Sequence, residues 1–367
     1  MSVPPAPGSS SAYRRLLASL EREPILVLLF FSPGIIEYLS GSSQVAAIVT
    51  NPFLFYLQLG ANLGLYGPGV LLIREAMIRW KKGWGTVLLL GFAYGILEEG
   101  VALSTMFNPT VGPATTAGLN AYGHYMGVNW VWAVQIATLH ALFSIALPIA
   151  LLDLAIPRIR GRSLLRTADL PLLGILWGVD VAFLYVFVGT YTRTWTGASL
   201  LLGAFAVIAL LVLVARYLPV EPFRARGDGA TFHPGIWAVI GPLFFLTVWF
   251  IPQVGKGLHA SPVLTIAVLL AVDGGWLWWV LGHIGSRHNE RRQVAFAGGL
   301  VAPLLLIGVV TQAFLPLVFA GDVALVIFLR ALWVRYAPLP APPAAGPPPG
   351  AAPPAPELGG TPPSLPA

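Results

Sequence analysis

The chain alternates between long apolar stretches and short polar ones. Ten of the apolar stretches contain about 17–26 residues each, which is enough to cross about 30 Å of hydrocarbon as an α-helix. The short alternating segments of a transmembrane β-barrel are absent from the sequence. The pattern predicts an all-α polytopic transmembrane bundle. Its ten spans are residues 24–40, 53–78, 84–106, 129–153, 171–190, 198–217, 235–252, 262–283, 294–312 and 317–335.

Basic residues are concentrated in the loops that follow the second, fourth, sixth and eighth spans. They are Arg79, Lys81, Lys82, Arg158, Arg160, Arg162, Arg166, Arg224, Arg226, Arg287, Arg291 and Arg292. The loops between them hold only Arg193 and Lys256. Because positively charged loops stay in the cytoplasm, the alternation predicts cytoplasmic termini. It also accounts for the net charge of +6 without a nucleic-acid partner.

Composition supports the same class of protein. Hydrophobic residues make up 56% of the chain and charged residues 10%, whereas soluble domains carry about 25% charged residues. The absence of cysteine excludes disulfides, thiolate metal sites and cysteine nucleophiles. The predominance of arginine over lysine favours a prokaryotic source. We therefore expect a multi-pass protein of the plasma or inner membrane, surrounded by membrane lipid.

Three regions follow from this pattern. Residues 1–23 form a polar segment predicted to be cytoplasmic, and residues 24–336 form the transmembrane domain. Residues 337–367 are rich in proline, alanine and glycine and carry a single charge, Glu357. Such a composition cannot build a core, so we predict a disordered cytoplasmic tail.

Two adjacent carboxylates, Glu98 and Glu99, interrupt the third span. An ionisable group near the bilayer centre costs at least about 2.5–3.5 kcal/mol, so it is treated as a functional residue by default. Glu98 lies about 21 Å above the start of its span at Trp84, at about 1.5 Å per residue. Glu37 in the first span and His140 in the fourth reach a similar depth. The sequence therefore predicts that these groups meet.

The second span contributes polar side chains to the same layer. Gln58, Asn62 and Tyr66 recur at intervals of four residues, so they share one helix face. We expect a polar site within the first four spans, residues 24–155. Its further candidate substrate- or ion-binding residues are Tyr94, His124, Ser144 and Asp180.

Local spacing adds three expectations about this layer. Gly91 and Gly95 lie two turns and one turn before Glu98, which predicts a groove where another helix approaches closely. Adjacent residues on a helix point about 100° apart, so Glu98 and Glu99 are expected to face different partners. The Arg74–Glu75 pair lies at the end of its span, where an interfacial position is expected.

Asp153 and Asp322 lie near the ends of their spans, and we expect both to reach the interface by snorkelling. Asp180 and Asp273 lie near the middle of theirs. They either form a second polar centre or pair with each other, and the sequence leaves both alternatives open.

Several kinds of chemistry suit the central residues. A desolvated carboxylate can act as a general base near neutral pH. Glu98 and Glu99 could thus activate a water molecule, with His140 assisting. The same groups could instead relay protons, bind a cation or form a structural polar clamp. Carboxylate and imidazole ligands suit Zn²⁺, but no spacing of the HExxH type is present, so we predict no metal and no cofactor.

The sequence LEEG around Glu98 and Glu99, followed by LHALFS around His140, resembles the CAAX protease and bacteriocin-processing family of glutamic intramembrane proteases. The resemblance covers about residues 84–150. It implies a Glu-activated water that cleaves membrane-associated peptides. The family's motifs are EExxxR, FxxxH and HxxxN, and this chain departs from them at Leu103, Ile136 and Ser144, and at Asp180 in the span where a second histidine is expected.

Three functions remain open at this point. The first is a divergent, metal-independent intramembrane endopeptidase with a membrane-embedded peptide as its substrate. The second is a proton- or cation-coupled transporter that uses the same carboxylates for a small ion. The third is a non-catalytic membrane scaffold that makes contacts through its proline-rich tail. The sequence predicts no oligomeric state.

Overall fold

The computed structural model describes residues 11–110, 118–119, 121–220, 232–285, 289–312 and 315–337, and this part of the chain is almost entirely helical. The helices are α1 (Ser11–Leu20), α2 (Pro24–Leu39), α3 (Ala47–Thr50), α4 (Pro52–Arg79), α5 (Trp84–Ala102), α6 (Trp130–Ala155), α7 (Asp169–Thr192), α8 (Ala198–Tyr217), α9 (Pro234–Gly257), α10 (Pro262–Ile284), α11 (Glu290–Thr311) and α12 (Pro316–Arg335). A 3₁₀ turn (Pro157–Ile159) follows α6.

Eight of the helices in the described residues, α5 to α12, are long and apolar enough to cross a membrane. The apolar helix α2 is shorter, and the 28-residue α4 is interrupted by polar side chains. These ten helices coincide with the ten predicted spans, so the all-α polytopic fold is confirmed. The side of the membrane on which the termini lie stays a prediction.

Parts of the predicted regions lie outside the described residues. They are residues 1–10 of the N-terminal segment, residues 111–117 and 120 of the loop between α5 and α6, residues 313–314, and the proline-rich tail beyond residue 337. The predicted basic loop residues Arg224, Arg226 and Arg287 also lie outside, within residues 221–231 and 286–288.

Proline marks the start of many of these helices. It occupies the first position of α2, α4, α9, α10 and α12, where its missing N–H would have no intrahelical partner. Side chains cap three of them: Asn51 accepts a hydrogen bond from the Leu54 amide, His233 accepts one from Gly235, and Ser261 accepts one from Leu264. Local sequence thus defines these helix boundaries before any packing occurs.

The helices α5 and α6 form the centre of the bundle. In each, 78% of the most apolar window is buried, against 17% in α7 and 11% in α8. Both α7 and α8 expose large apolar side chains, such as Leu202 and Phe205 on α8, as expected of helices that face lipid. Polar side chains on α5 and α6 are therefore removed from both water and lipid.

Small residues bring α5 and α6 into backbone contact. A Cβ atom on Gly91 would lie 2.8 Å from the Cα of Ala141, and one on Gly95 would lie 2.7 Å from the Cα of Ala137. A larger side chain would force the two helices apart. The predicted close approach at Gly91 and Gly95 is confirmed, and it places His140 opposite the carboxylates of α5.

Three helices widen into π-helical segments within the bundle. These are Gly34–Leu39 in α2, Leu97–Ala102 in α5 and His140–Ala146 in α6. Each one contains an ionisable residue that the sequence singles out. Single π-helical turns are uncommon and occur frequently at functional sites.

A second group of charges lies at the other end of α4, and its burial corrects the expected interfacial position. Arg74 and Glu75 are 0% and 2% exposed. Arg74 Nη2 lies 3.2 Å from Asp153 Oδ1 and donates to the carbonyl of Ile159. Glu75 accepts hydrogen bonds from the Arg79 guanidinium and from the amide of Leu164. The loop after α6 folds back over α4 and covers these charges.

The expectation that Asp153 and Asp322 snorkel is also wrong. Asp153 pairs with Arg74 inside the bundle. Asp322 is 7% exposed, because it faces the neighbouring helices from α12.

Candidate functional site

The centre of the site is one imidazole held between two carboxylates. His140 Nδ1 lies 3.1 Å from Glu98 Oε2, and His140 Nε2 lies 3.2 Å from Glu99 Oε1. All three side chains are buried. The expectation that the adjacent glutamates face different partners is therefore wrong. The two nitrogens lie on different edges of the ring, so two diverging carboxylates reach the same histidine. We call Glu98, Glu99 and His140 the triad.

Ser144 joins the triad from the next turn of α6. Its hydroxyl lies 2.9 Å from His140 Nδ1, on the side that also faces Glu98. The Ser144 carbonyl accepts a 2.6 Å hydrogen bond from the Ser32 hydroxyl of α2. The candidate Ser144 thus orients the imidazole, and Ser32 ties this turn of α6 to α2.

The second oxygen of Glu99 is held by the loop that follows α5. The Thr105 hydroxyl donates a hydrogen bond to Glu99 Oε2, and Trp132 Nε1 donates a 3.1 Å bond to the Thr105 hydroxyl. The Asn129 amide donates to the Thr105 carbonyl at 3.1 Å. His124 lies beyond Asn129, at 2.6 Å from its Oδ1. The structure thus places His124 outside the triad.

A short hairpin explains the position of His124. Its strands β1 (His124–Tyr125) and β2 (Val128–Asn129) pair antiparallel. Met126 and Gly127 form the turn between them, both with positive φ, at 51° and 79°. This hairpin leaves His124 exposed and turns its ring toward the buried Asn129, whereas the triad lies inside the bundle.

Glu37 is the centre of a second polar cluster. Its Oε1 accepts a hydrogen bond from the Tyr66 hydroxyl and its Oε2 accepts one from the Ser43 hydroxyl, both at 2.6 Å. Gln58 and Asn62 donate to the Ser43 hydroxyl at 2.9 and 3.2 Å. The structure therefore brings together the predicted residues of the first and second spans. We call these five residues the Glu37 cluster.

Two tyrosines, Tyr66 of the Glu37 cluster and Tyr94 of α5, connect that cluster with the triad. The Tyr66 and Tyr94 rings lie 6.1 and 6.0 Å from the His140 ring and 5.8 Å from each other. Tyr94 lies beside Glu98, yet its buried hydroxyl has no well-aligned hydrogen-bond partner among the described residues. Trp177 of α7 stacks on Tyr94 at 6.2 Å. Aromatic rings thus close this side of the triad.

Asp180 lies behind these rings rather than in the triad. It is on α7, beside α4, where a Cβ atom on Gly64 would lie 2.8 Å from its Oδ1. Its Oδ2 is buried without a hydrogen-bond partner among the described residues. Asp273 is on α10, and both of its carboxylate oxygens also lack such a partner. The two aspartates therefore do not pair with each other.

Negative groups outnumber positive ones in this part of the bundle. In the described chain, Glu37, Glu98 and Glu99 form no ion pair with arginine or lysine. A buried charge is stable only when it is paired or bound to a metal, or when it is neutralised by protonation. Among the described residues, His140 is the side chain beside Glu98 and Glu99 that becomes cationic when it is protonated. The site is therefore suited to taking up protons or a cation.

The triad also has the residue types of a metal site. Each of Glu98, Glu99 and His140 offers one possible ligand atom, and these three atoms lie within 4.8 Å of one another. A metal would bind one imidazole nitrogen, and the carboxylate at the other nitrogen would then orient the ring. The prediction that the protein uses no metal is not tested by this geometry.

Sequence reasoning did not find Thr105 or Ser43. Thr105 follows Glu99 by six residues, so a continuing helix would place it on a different face from Glu99. However, α5 ends at Ala102, and Ser104 adopts a φ of 60°, which turns the chain back toward the carboxylate. Ser43 likewise follows the end of α2. A hydroxyl soon after an apolar span was the only signal for either residue.

The chain matches one family model over residues 26–271, about two thirds of its length. This region includes every candidate site residue from Glu37 to Asp180. No curated protein matches the chain, and no solved structure does. The family match agrees with the bundle of long apolar helices, and the chain belongs to an uncharacterized membrane protein family.

Proposed function

We propose that the protein is an intramembrane hydrolase that cleaves a membrane-embedded peptide with water activated by the triad. The observation that carries the proposal is the contact of two buried carboxylates with one imidazole, at 3.1 and 3.2 Å. Groups at this distance can exchange a proton directly. The resemblance of LEEG and LHALFS to the glutamic intramembrane proteases supports the same reading.

The different surroundings of the two glutamates suggest different roles. Glu99 is fixed by Thr105, so it positions His140. Glu98 Oε2 lies beside the His140 ring but has no well-aligned hydrogen bond among the described residues, so Glu98 can take the proton of an attacking water. The water oxygen bonds to the peptide carbon, and a protonated His140 stabilises the resulting oxyanion through its positive charge, because both ring nitrogens already contact other side chains. The proton then passes to the amide nitrogen as the carbon–nitrogen bond breaks.

Water needs a path to a site this deep. The Glu37 cluster offers one, because Gln58 and Ser43 lie near the start of α4, on the predicted outer side. Their polar groups lead through Glu37 to Tyr66, whose ring adjoins His140. Such a line of polar groups supports the entry of water from that side.

The test compares peptides released from membranes of cells that produce the wild type, Glu98→Gln or Glu99→Gln. Mass spectrometry identifies peptides that appear only with the wild type. General acid–base catalysis contributes about 10²–10⁴-fold to rates, so we expect either variant to abolish release. Glu290→Gln, outside the bundle centre, is the matched control and should release the same peptides. Equal release by wild type and Glu98→Gln would overturn the proposal.

A second function has one specific observation in its favour. Hydrogen bonds join Gln58, Ser43, Glu37 and Tyr66 into a continuous chain that leads toward the triad. These residues lie on α2, on α4 and in the segment between the two helices. A proton- or cation-coupled transporter would use such a chain as its pathway.

Flux measurements distinguish this function from hydrolysis. Liposomes that contain the protein and a pH-sensitive dye would report proton entry driven by a gradient. If the protein is a transporter, Glu37→Gln stops this flux. If it is a hydrolase that is not a transporter, wild-type and empty liposomes behave alike.

A further inference from the structure

A cavity of about 540 Å³ lies apart from the triad, at the predicted cytoplasmic end of the bundle. It is enclosed by the turn between α4 and α5, the second half of α6, and helices α9, α10 and α11. Its deepest residue on α5 is Leu88, about 15 Å below Glu98 along the helix at about 1.5 Å per residue. On α6 the lining begins at Leu142, two residues after His140, but no residue of the triad lines the cavity. The cavity is therefore distinct from the proposed reaction centre.

The inner walls of this cavity are apolar. They include Leu88, Leu142, Phe244, Leu277 and Phe296, from five different helices. The volume is within the range of about 300–1,000 Å³ that is usual for ligand sites. Walls of this kind suit a hydrocarbon chain and offer little to a soluble polar ligand.

One end of the cavity is basic. Lys81, Lys82 and Arg160 line it, and Lys81 is exposed. Arg160 is already paired with Glu290 at 2.9 Å. The carboxylate of Asp153 also lines the cavity, but it is paired with Arg74. The two lysines therefore leave this end positively charged.

Lys82 and Lys81 differ in what they contact. The Lys82 ammonium donates to the carbonyl of Leu218, which holds the end of α8 and leaves the charge without a carboxylate partner. No partner of the Lys81 ammonium is found among the described residues. Both ammonium groups can thus bind an anion at the edge of the cavity.

We propose that this cavity binds an anionic membrane phospholipid. Its phosphate contacts Lys81 and Lys82, and one acyl chain lies between α6, α10 and α11. Basic pockets between transmembrane helices on the cytoplasmic side bind anionic head groups, because the lipids of that leaflet are negatively charged. The apolar depth selects a lipid over a soluble phosphate, and the lysines select an anionic lipid over a zwitterionic one.

Native mass spectrometry of the full-length protein in detergent tests the head-group contact. The probes are dioleoyl phosphatidylglycerol, dioleoyl phosphatidylcholine with the same chains, and soluble glycerol phosphate. We expect one phosphatidylglycerol to be retained, about tenfold in preference to phosphatidylcholine. The double variant Lys81→Gln/Lys82→Gln should lose the preference. Arg166→Gln, an exposed cation in another loop of the same side, is the matched control and should keep it.

A second pair of variants tests the chain contact. Ala150 lines the cavity from α6, so Ala150→Phe should fill it and abolish retention of phosphatidylglycerol. Ala209→Phe adds the same bulk to the exposed face of α8 and should leave retention unchanged. Equal retention of both lipids would overturn the proposal. So would binding of glycerol phosphate alone, or a self-associated protein that retains no lipid.

Discussion

Two groups of buried charges lie at different depths in the bundle, one on α4 and α6 and the other on α5 and α6, and they are built differently. Near the loop after α6, the arginine cluster of Arg74, Glu75, Arg79 and Asp153 pairs two cations with two carboxylates. Backbone groups of that loop supply further hydrogen bonds. The triad instead sets two carboxylates against one imidazole.

The backbone differs in the same way. The arginine cluster is built on regular α-helix, whereas each member of the triad lies in a π-helical segment. In the arginine cluster each buried charge has a partner of opposite sign, and breaking such a pair destabilises a fold strongly. An excess of acid on a distorted backbone is a cost that folding alone does not explain. The comparison therefore indicates a structural role for the first group and supports the proposal that the second is a reaction centre.

The largest effect is expected from Arg74→Met. The substitution keeps the bulk of the side chain but leaves Asp153 buried without its cation. Removing one partner of a buried ion pair typically costs about 3–5 kcal/mol. Denaturant-induced unfolding in detergent, followed by tryptophan fluorescence, would measure the loss. Arg166→Met is the control, since its side chain is 88% exposed and should change the free energy of unfolding by less than about 0.5 kcal/mol.

Gly95→Leu should have the next largest effect, because it disrupts the close packing of α5 against α6 that supports the triad. The new Cβ would lie 2.7 Å from the Cα of Ala137, which is backbone and cannot rotate away. Overpacking costs about 1–3 kcal/mol, and we expect the upper end of this range. Gly203→Leu on α8, where a Cβ meets nothing within 4 Å, is the matched control. A Gly95 variant as stable as this control would mean that α5 and α6 are not in close contact.

The meeting of Glu98 with His140 could be predicted because both lie on long helices of known rise. Depth along a straight helix follows from residue counting alone. The contacts of Thr105 and Ser43 could not be predicted, because each depends on how the chain turns after a helix ends. Arg74 was misjudged for a related reason. Its place near a helix end indicated the interface, but the loop after α6 covers it.

Thr105→Val should have a smaller effect than either variant above. It keeps the shape of the side chain and removes the hydroxyl that bonds Glu99 and accepts from Trp132. A hydrogen bond to a charged group contributes about 1.5–3 kcal/mol, and a protonated Glu99 would lower this value. Denaturant-induced unfolding in detergent, followed by tryptophan fluorescence, would also measure this loss. Thr50→Val is the control, because the Thr50 hydroxyl bonds only its own helix among the described residues. An equal loss of stability in the two variants would mean that the Thr105 hydroxyl does not support Glu99.

The smallest effect on stability is expected from Glu98→Gln, and this prediction is the strictest test of the comparison. An amide has nearly the shape of a carboxyl group, but it has no charge to desolvate and none to repel Glu99. Its NH₂ group could also donate to an acceptor that the carboxylate cannot use. The free energy of unfolding should therefore change by less than about 1 kcal/mol, or increase. A loss as large as that in Arg74→Met would mean that Glu98 belongs to a structural ion pair. In that case the triad and the arginine cluster would be two examples of the same device, and the chemical role of the triad would lose its main physical support.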